Sequence, residues 1–131
     1  IKSLYGKYSH YDAGFVDYRK AHPSWIWYQH PAGARDSVCR WLRDRNRKPI
    51  LYAGFFAGHM ISREALATLA ELQLPHAFCE MRLPSVLTGL GFSCVRLDFP
   101  MLRYRPAFSK LDIESKSSFG LFHPVYNDFD L

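Results

Sequence analysis

Long apolar runs are missing from this 131-residue chain. The longest, Ile50-Leu51-Tyr52-Ala53-Gly54-Phe55-Phe56-Ala57-Gly58, has the length of a strand. It falls well short of the ~18–20 apolar residues that cross a bilayer. Cysteine is scarce too. Cys39, Cys79 and Cys94 are odd in number and widely spaced, with no Cys-x-x-Cys. That argues against a disulfide scaffold and against a structural zinc site. It fits a reducing compartment, so the expected location is cytoplasmic, with any membrane association coming from sequence outside these residues. His10, His22, His30 and His76 show no i, i+4 or His-x-His pairing, which leaves an all-protein zinc site without support. No Gly-x-Ser-x-Gly occurs, so nothing points to a serine nucleophile on a strained elbow. Cys39 lies in a basic segment without an evident base, and Cys79 and Cys94 read as small buried hydrophobes. There is no internal repeat and no low-complexity tract. Eight Gly and eight Pro are close to average usage. The first residue is Ile1 and no charged-then-apolar signal segment follows it; the chain is expected to be a fragment or a processed product.

What is present is a core. The chain is 48% hydrophobic and 16% aromatic, which excludes a disordered segment. Its length suits one domain of about 100–150 residues. The net charge of +5 is local. Arg35, Arg40, Arg43, Arg45, Arg47 and Lys48 face only Asp36 and Asp44 within residues 35–48, so the remainder is near neutral. Such a window attracts nucleic acid, anionic lipid or phosphorylated substrates, or is simply a solvated helix face.

Three stretches are expected within one domain: an aromatic, loop-rich segment at 1–34, an α/β core at 35–105 and a C-terminal tail at 106–131. In the first, Trp25-Ile26-Trp27-Tyr28 reads as a short strand. A helix capped by Asp36 is expected to run to Arg47, with Val38, Trp41, Leu42 and Arg45 at i, i+3, i+4, i+7 and Pro49 breaking it. Residues 50–57 read as a strand covered on both faces, with Gly54 and Gly58 bracketing its end and leaving backbone open to a ligand. Ser62 reads as an N-cap with Glu64 in the first turn, and Leu66, Leu69, Ala70 and Leu72 give the buried stripe of a helix over 63–72. Another helix is expected from Pro84 to Gly91, its C′ residue, followed by a strand at 92–99. The order strand, helix, helix, strand indicates an α/β or α+β layer.

Two runs carry chemistry. Residues 52–66 combine a strand, a glycine-bounded turn and a capped helix, and backbone amides at such a turn can face a ligand. Residues 78–92 place Glu80 in partly apolar surroundings, which raise a carboxyl pKa and suit general-base work. Surface pairing of Glu80 with Arg82 or Arg63 is the alternative.

Taken together the two runs resemble the acceptor-side, C-terminal half of a GT-A-type glycosyltransferase, of the kind that builds bacterial polysaccharides and cell-surface sugars. The first resembles the family's Gly-x-x-x-Gly … Ser-Arg-x-Ala-Leu pattern at Gly54, Gly58, Ser62, Arg63, Ala65 and Leu66. The second is similar to its Glu-x-x-Leu-Pro-[Ser/Thr]-x-Leu-x-x-x-Gly-[Phe/Tyr] pattern at Glu80, Leu83, Pro84, Ser85, Leu87, Gly91 and Phe92. Phe122-His123-Pro124-Val125 is similar to the family's terminal His-Pro-Val, and the segment around Trp25, Trp27 and Tyr28 to the aromatic stretch before its strand. The resemblance covers about residues 20–125.

The resemblance implies an α/β fold: a partial GT-A-like, Rossmann-like mixed sheet with flanking helices. It implies a transferase moving a sugar from a nucleotide-sugar donor to a carbohydrate or cell-surface acceptor. Glu80 matches the acidic residue that takes the acceptor proton in inverting members and binds the acceptor in others. Gly54, Gly58, His59, Trp25, Trp27 and Arg63 are the expected acceptor or substrate contacts. His123 matches a ligand of the divalent metal, Mn or Mg, that holds the donor diphosphate. The departure is the Asp-x-Asp of the nucleotide-binding half. Its only counterpart here, Asp128-Phe129-Asp130, follows His123 and reads as a solvated tail. The chain alone is therefore expected to be inactive, and its parent protein to be the enzyme. The other reading is a basic and aromatic module that binds nucleic acid or an anionic surface without catalysis. Nucleic acid is the less favoured partner, because the cations cluster on one helix while the aromatics lie elsewhere.

Overall fold

A computed structural model describes residues 6–98; apart from Asp98 they belong to one compact unit, Ile1–Leu97. The expectations for His123, for residues 122–125 and for Asp128 and Asp130 lie outside the described residues. Those described form a mixed α/β arrangement in the order β1 (Ala13–Lys20), α1 (Ile26–Gln29), α2 (Ala34–Arg43), β2 (Tyr52–Ile61), α3 (Arg63–Ala70), α4 (Cys79–Leu90) and β3 (Cys94–Leu97). The sheet order is β2-β1-β3. β1 runs antiparallel to β2 and parallel to β3.

The central strand is β1, in the stretch expected to be loop. Ala13, Gly14, Phe15 and Val16 are all buried, because neighbours cover both faces. A strand buried on both faces shows no polar alternation, which removes the usual signal. Conversely, the expected strand at 25–28 is one helical turn, closed by Tyr28 N–H to Trp25 O at 2.9 Å and His30 N–H to Ile26 O at 3.1 Å. The turn sets Trp25 and Tyr28 three residues apart, and both pack against the core.

α2 carries the expected stripe: Val38, Trp41 and Leu42 are buried. Its N-cap is Gly33 and Asp36 sits in the first turn, not at the cap. The helix stops at Arg43 and not at Arg47. Asn46, at φ 55°, takes the left-handed position, with Asn46 N–H bonding Arg43 O and Arg47 N–H bonding Leu42 O, each at 2.9 Å. That pair of bonds is a Schellman ending, so Asn46 closes the helix before Pro49 is reached. Trp41 Nε1–H donates to Gln73 O at 2.7 Å, tying α2 to the stretch before α4.

α3 begins as expected. Ser62 Oγ accepts from Ala65 N–H at 3.1 Å. The buried positions are Ala65 and Leu69, whereas Leu66 is 57% exposed, so the stripe is rotated by one residue from that expected. α4 starts five residues before Pro84, with Phe78 as N-cap and Pro84 inside the helix. Pro84 is fully buried, and packing outweighs the hydrogen bond that proline removes. Gly91, at φ 98°, ends the helix as expected.

Asp12 locks the entry to the sheet. Its Oδ2 accepts from Ser93 N–H at 2.8 Å and Ser93 Oγ–H at 2.6 Å, and its carbonyl accepts from Ser62 N–H at 2.7 Å. The Ser93 hydroxyl, then the Ser93 amide, hold the carboxyl below its ordinary 3.8. With the folded pKa depressed, the unfolded chain binds more protons on acidification. The contribution is present above the ordinary pKa and lost as pH falls through the folded one. Asp12→Asn is expected to lower Tm at about pH 7 and to lose that difference as the pH falls through the depressed folded pKa, as followed by circular dichroism melts across the range.

Candidate functional site

The expected site is built on β2, α3 and α4, and the structure redraws it. Gly54 does not bracket a turn. It lies inside β2 and is buried. A Cβ there would stand 2.6 Å from Phe15 Cβ, so this glycine lets two strands approach and offers no open backbone. The expected glycine-bounded turn is also absent, since β2 runs on to Ile61. In its place is a bulge: Met60 pairs with Gly14 and Phe55 with Val16, so residues 56–59 oppose Phe15 alone. Gly58 sits in it at φ 75°, a conformation that favours glycine. His59, half-buried, follows it. Bulges of this kind re-aim side chains beside functional sites. A second irregularity sets Asp17 and Tyr18 against Gly54, with Asp17 at φ 54°.

Glu80 occupies the first turn of α4 and is 7% exposed. It stands at i, i+4, i+7 with Pro84 and Leu87, both fully buried, so a carboxylate sits on a row that is otherwise apolar. Carboxylates are seldom placed there unless they have a partner, and Glu80 is not without one. Burial first, and the neighbouring Glu80 carboxylate second, push the Cys79 thiol above its ordinary value. Cys79 is thus no ready thiolate, as expected from its sequence context. Arg82 and Arg63 make no ion pair among the described residues, so the surface-pairing alternative for Glu80 is not what is seen. Arg63 is exposed at the first position of α3.

The aromatic segment meets α4 directly. The Trp27 ring stacks on Phe78 with centroids 4.0 Å apart and planes at 16°. Phe78 is the N-cap, two residues before Glu80, and remains 37% exposed. Arg82 N–H bonds Phe78 O at 2.8 Å, so Arg82 stands one turn above the stack. Among the described residues, Trp27 Nε1 and Arg82 Nε are both buried without a hydrogen-bond partner. Each such orphan costs about 1–3 kcal/mol. Phe78 and Arg82 were not among the expected site residues, because placing the helix start at Pro84 left them in a loop. Trp25 packs against the core instead of joining the stack.

Below this end, α4 is tied to the sheet. Ser85 Oγ accepts from Tyr52 N–H at 2.8 Å and donates to Tyr52 O at 3.2 Å. Tyr18 O–H and Thr88 Oγ1 are 2.6 Å apart, and the Tyr18 ring stacks on Tyr52 at 5.3 Å. Burial pushes the Tyr18 hydroxyl up to about 12, against the Thr88 hydrogen bond, and burial likewise raises the Cys94 thiol. These groups hold their protons and anchor the helix.

Among the described residues no three His, Cys, Asp or Glu side chains converge as a metal ion requires, and no helix is long and apolar enough to cross a membrane. No known family model matches the chain, and no curated protein or solved structure is found similar to it.

Proposed function

We propose that this chain is the acceptor-side part of a glycosyltransferase, a partial GT-A-like α/β layer in which Glu80 takes the proton of the attacking acceptor hydroxyl. The observation that carries the reading is the buried Glu80 carboxylate beside the Trp27–Phe78 stack. Sugar rings present C–H faces to aromatic rings and hydroxyls to hydrogen-bonding groups. Phe78, 37% exposed, offers a partly open aromatic face. In an inverting transfer the acceptor O–H gives its proton to Glu80 as the oxygen attacks the donor's anomeric carbon. The bond to the diphosphate breaks, and the diphosphate leaves with the electron pair. The donor nucleotide and its Mn or Mg ion belong to residues outside those described, His123 being this chain's one match to a metal ligand. Gly58 and His59, in the β2 bulge, remain acceptor contacts in this reading, as does exposed Arg63.

The test is transfer of labelled sugar from a panel of nucleotide sugars to saccharide acceptors by the full-length gene product. Trp27→Ala is expected to raise the acceptor KM about tenfold with a smaller effect on kcat, the loss of one stacking partner. Absence of transfer from every donor, or an unchanged KM, would overturn the reading.

A further inference from the structure

We propose that the basic face at the C-terminal end of α2 docks on an anionic lipid surface. The bland explanation for cations there is the helix dipole, whose negative end they complement. Arg40 and Arg43, in the last turn of α2, stand where they do so, but that interaction leaves their guanidinium groups in solvent, and one residue of the group is engaged directly. Arg45 donates to Trp41 O at 3.2 Å and lays its guanidinium 3.9 Å from the Trp41 ring centroid. Arg35 is also engaged, over the Tyr28 ring at 5.8 Å and 3.9 Å from Asp36. Arg40, Arg43, Arg47 and Lys48 are different. All four are exposed, and among the described residues none has an ion pair, a ring contact or a side-chain hydrogen bond. Arg40 and Arg43 lie at i, i+3 on the side opposite Val38 and Leu42, which are fully buried. Arg47 and Lys48 extend the row through the Schellman turn.

The same face argues for lipid over nucleic acid. Single-strand binders need exposed rings on which bases stack. Trp41, the aromatic of this helix, is 7% exposed and lies under Arg45. What does stand open at the end of the row is Ile50, 39% exposed, an apolar side chain two residues past Lys48. Cations with an adjacent apolar residue match the boundary between headgroups and acyl chains, where charge and apolar burial act together. The surface is independent of the sugar-transfer reading, since lipid binding needs neither donor nor acceptor.

The test is co-sedimentation of the full-length protein with phosphatidylcholine vesicles, with and without about 30% phosphatidylserine, at about 0.1 M salt. Binding is expected only to the anionic vesicles, with release at about 1 M salt. Each basic residue is worth about fivefold in the partition coefficient, so the quadruple variant R40Q/R43Q/R47Q/K48Q is expected to bind at least about a hundredfold more weakly. An unchanged melting temperature confirms that the variant folds; the single variants R43Q and R47Q provide the reading if it does not. Equal binding to neutral vesicles, full binding by the variants, or preference for a single-stranded oligonucleotide over the anionic vesicles would overturn the proposal.

Discussion

Glu80→Gln is expected to lower kcat for sugar transfer at least about a hundredfold, the usual worth of a positioned general base. Gln keeps the shape of the side chain and its place on the Pro84–Leu87 row, but cannot take a proton. Acceptor KM is expected to change little, because the Trp27–Phe78 stack two residues away is left intact. The melting temperature reports on the competing explanation. A purely structural role for the buried carboxylate predicts a lower Tm with kcat preserved in the folded fraction. A catalytic role predicts the reverse. Unchanged turnover in folded protein removes Glu80 from the chemistry.

The second large effect concerns the sheet that carries the site. Gly54→Ala is expected to destabilise the protein by about 1–3 kcal/mol, the range for overpacking a tight interior. The added Cβ would lie 2.6 Å from Phe15 Cβ and 2.9 Å from its Cγ. Phe15 is 1% exposed and, at its Cβ, is fixed by the backbone of the central strand, so it cannot swing aside. For a domain of this size that range corresponds to a fall in Tm of roughly 5–20 °C. Urea unfolding is the measurement, with a lower midpoint and an unchanged slope expected. Phe15→Ala combined with Gly54→Ala keeps the 2.6 Å Cβ contact and relieves only the contacts to Cγ and the ring, so it is expected to be less stable than wild type by the cavity cost as well. Equal stability of Gly54→Ala and wild type would mean that this glycine is not a packing glycine.

Several features set by local chemistry agree between sequence and structure, although the Asp36 cap and the Arg47 ending of α2 do not. The Ser62 cap, the Glu64 first turn, the Val38–Trp41–Leu42 stripe and the Gly91 ending each depend on a few adjacent residues, and each is present. The mixed sheet with helices is present as well. Where tertiary burial decides, the sequence is silent. β1 lacks alternation because both of its faces are covered. Pro84 reads as a helix start, yet it is an interior residue held by packing. That one difference moves Glu80 from the approach to a helix into its first turn and makes Phe78 its N-cap. The Trp27–Phe78 contact joins residues fifty-one positions apart, which no local pattern announces. Glycines 54 and 58 were legible as special positions in a strand. Their two separate reasons, close approach and a bulge, appear only once Phe15 and the ladder are in place.

The most direct test of the central claim is the structure of the protein with a saccharide acceptor bound. A ring on the Trp27–Phe78 stack, with its reacting hydroxyl about 2.6–3.2 Å from a Glu80 carboxylate oxygen, is the predicted result. An acceptor seated elsewhere, with Glu80 still enclosed beside Pro84 and Leu87 and out of reach of any sugar hydroxyl, would contradict it.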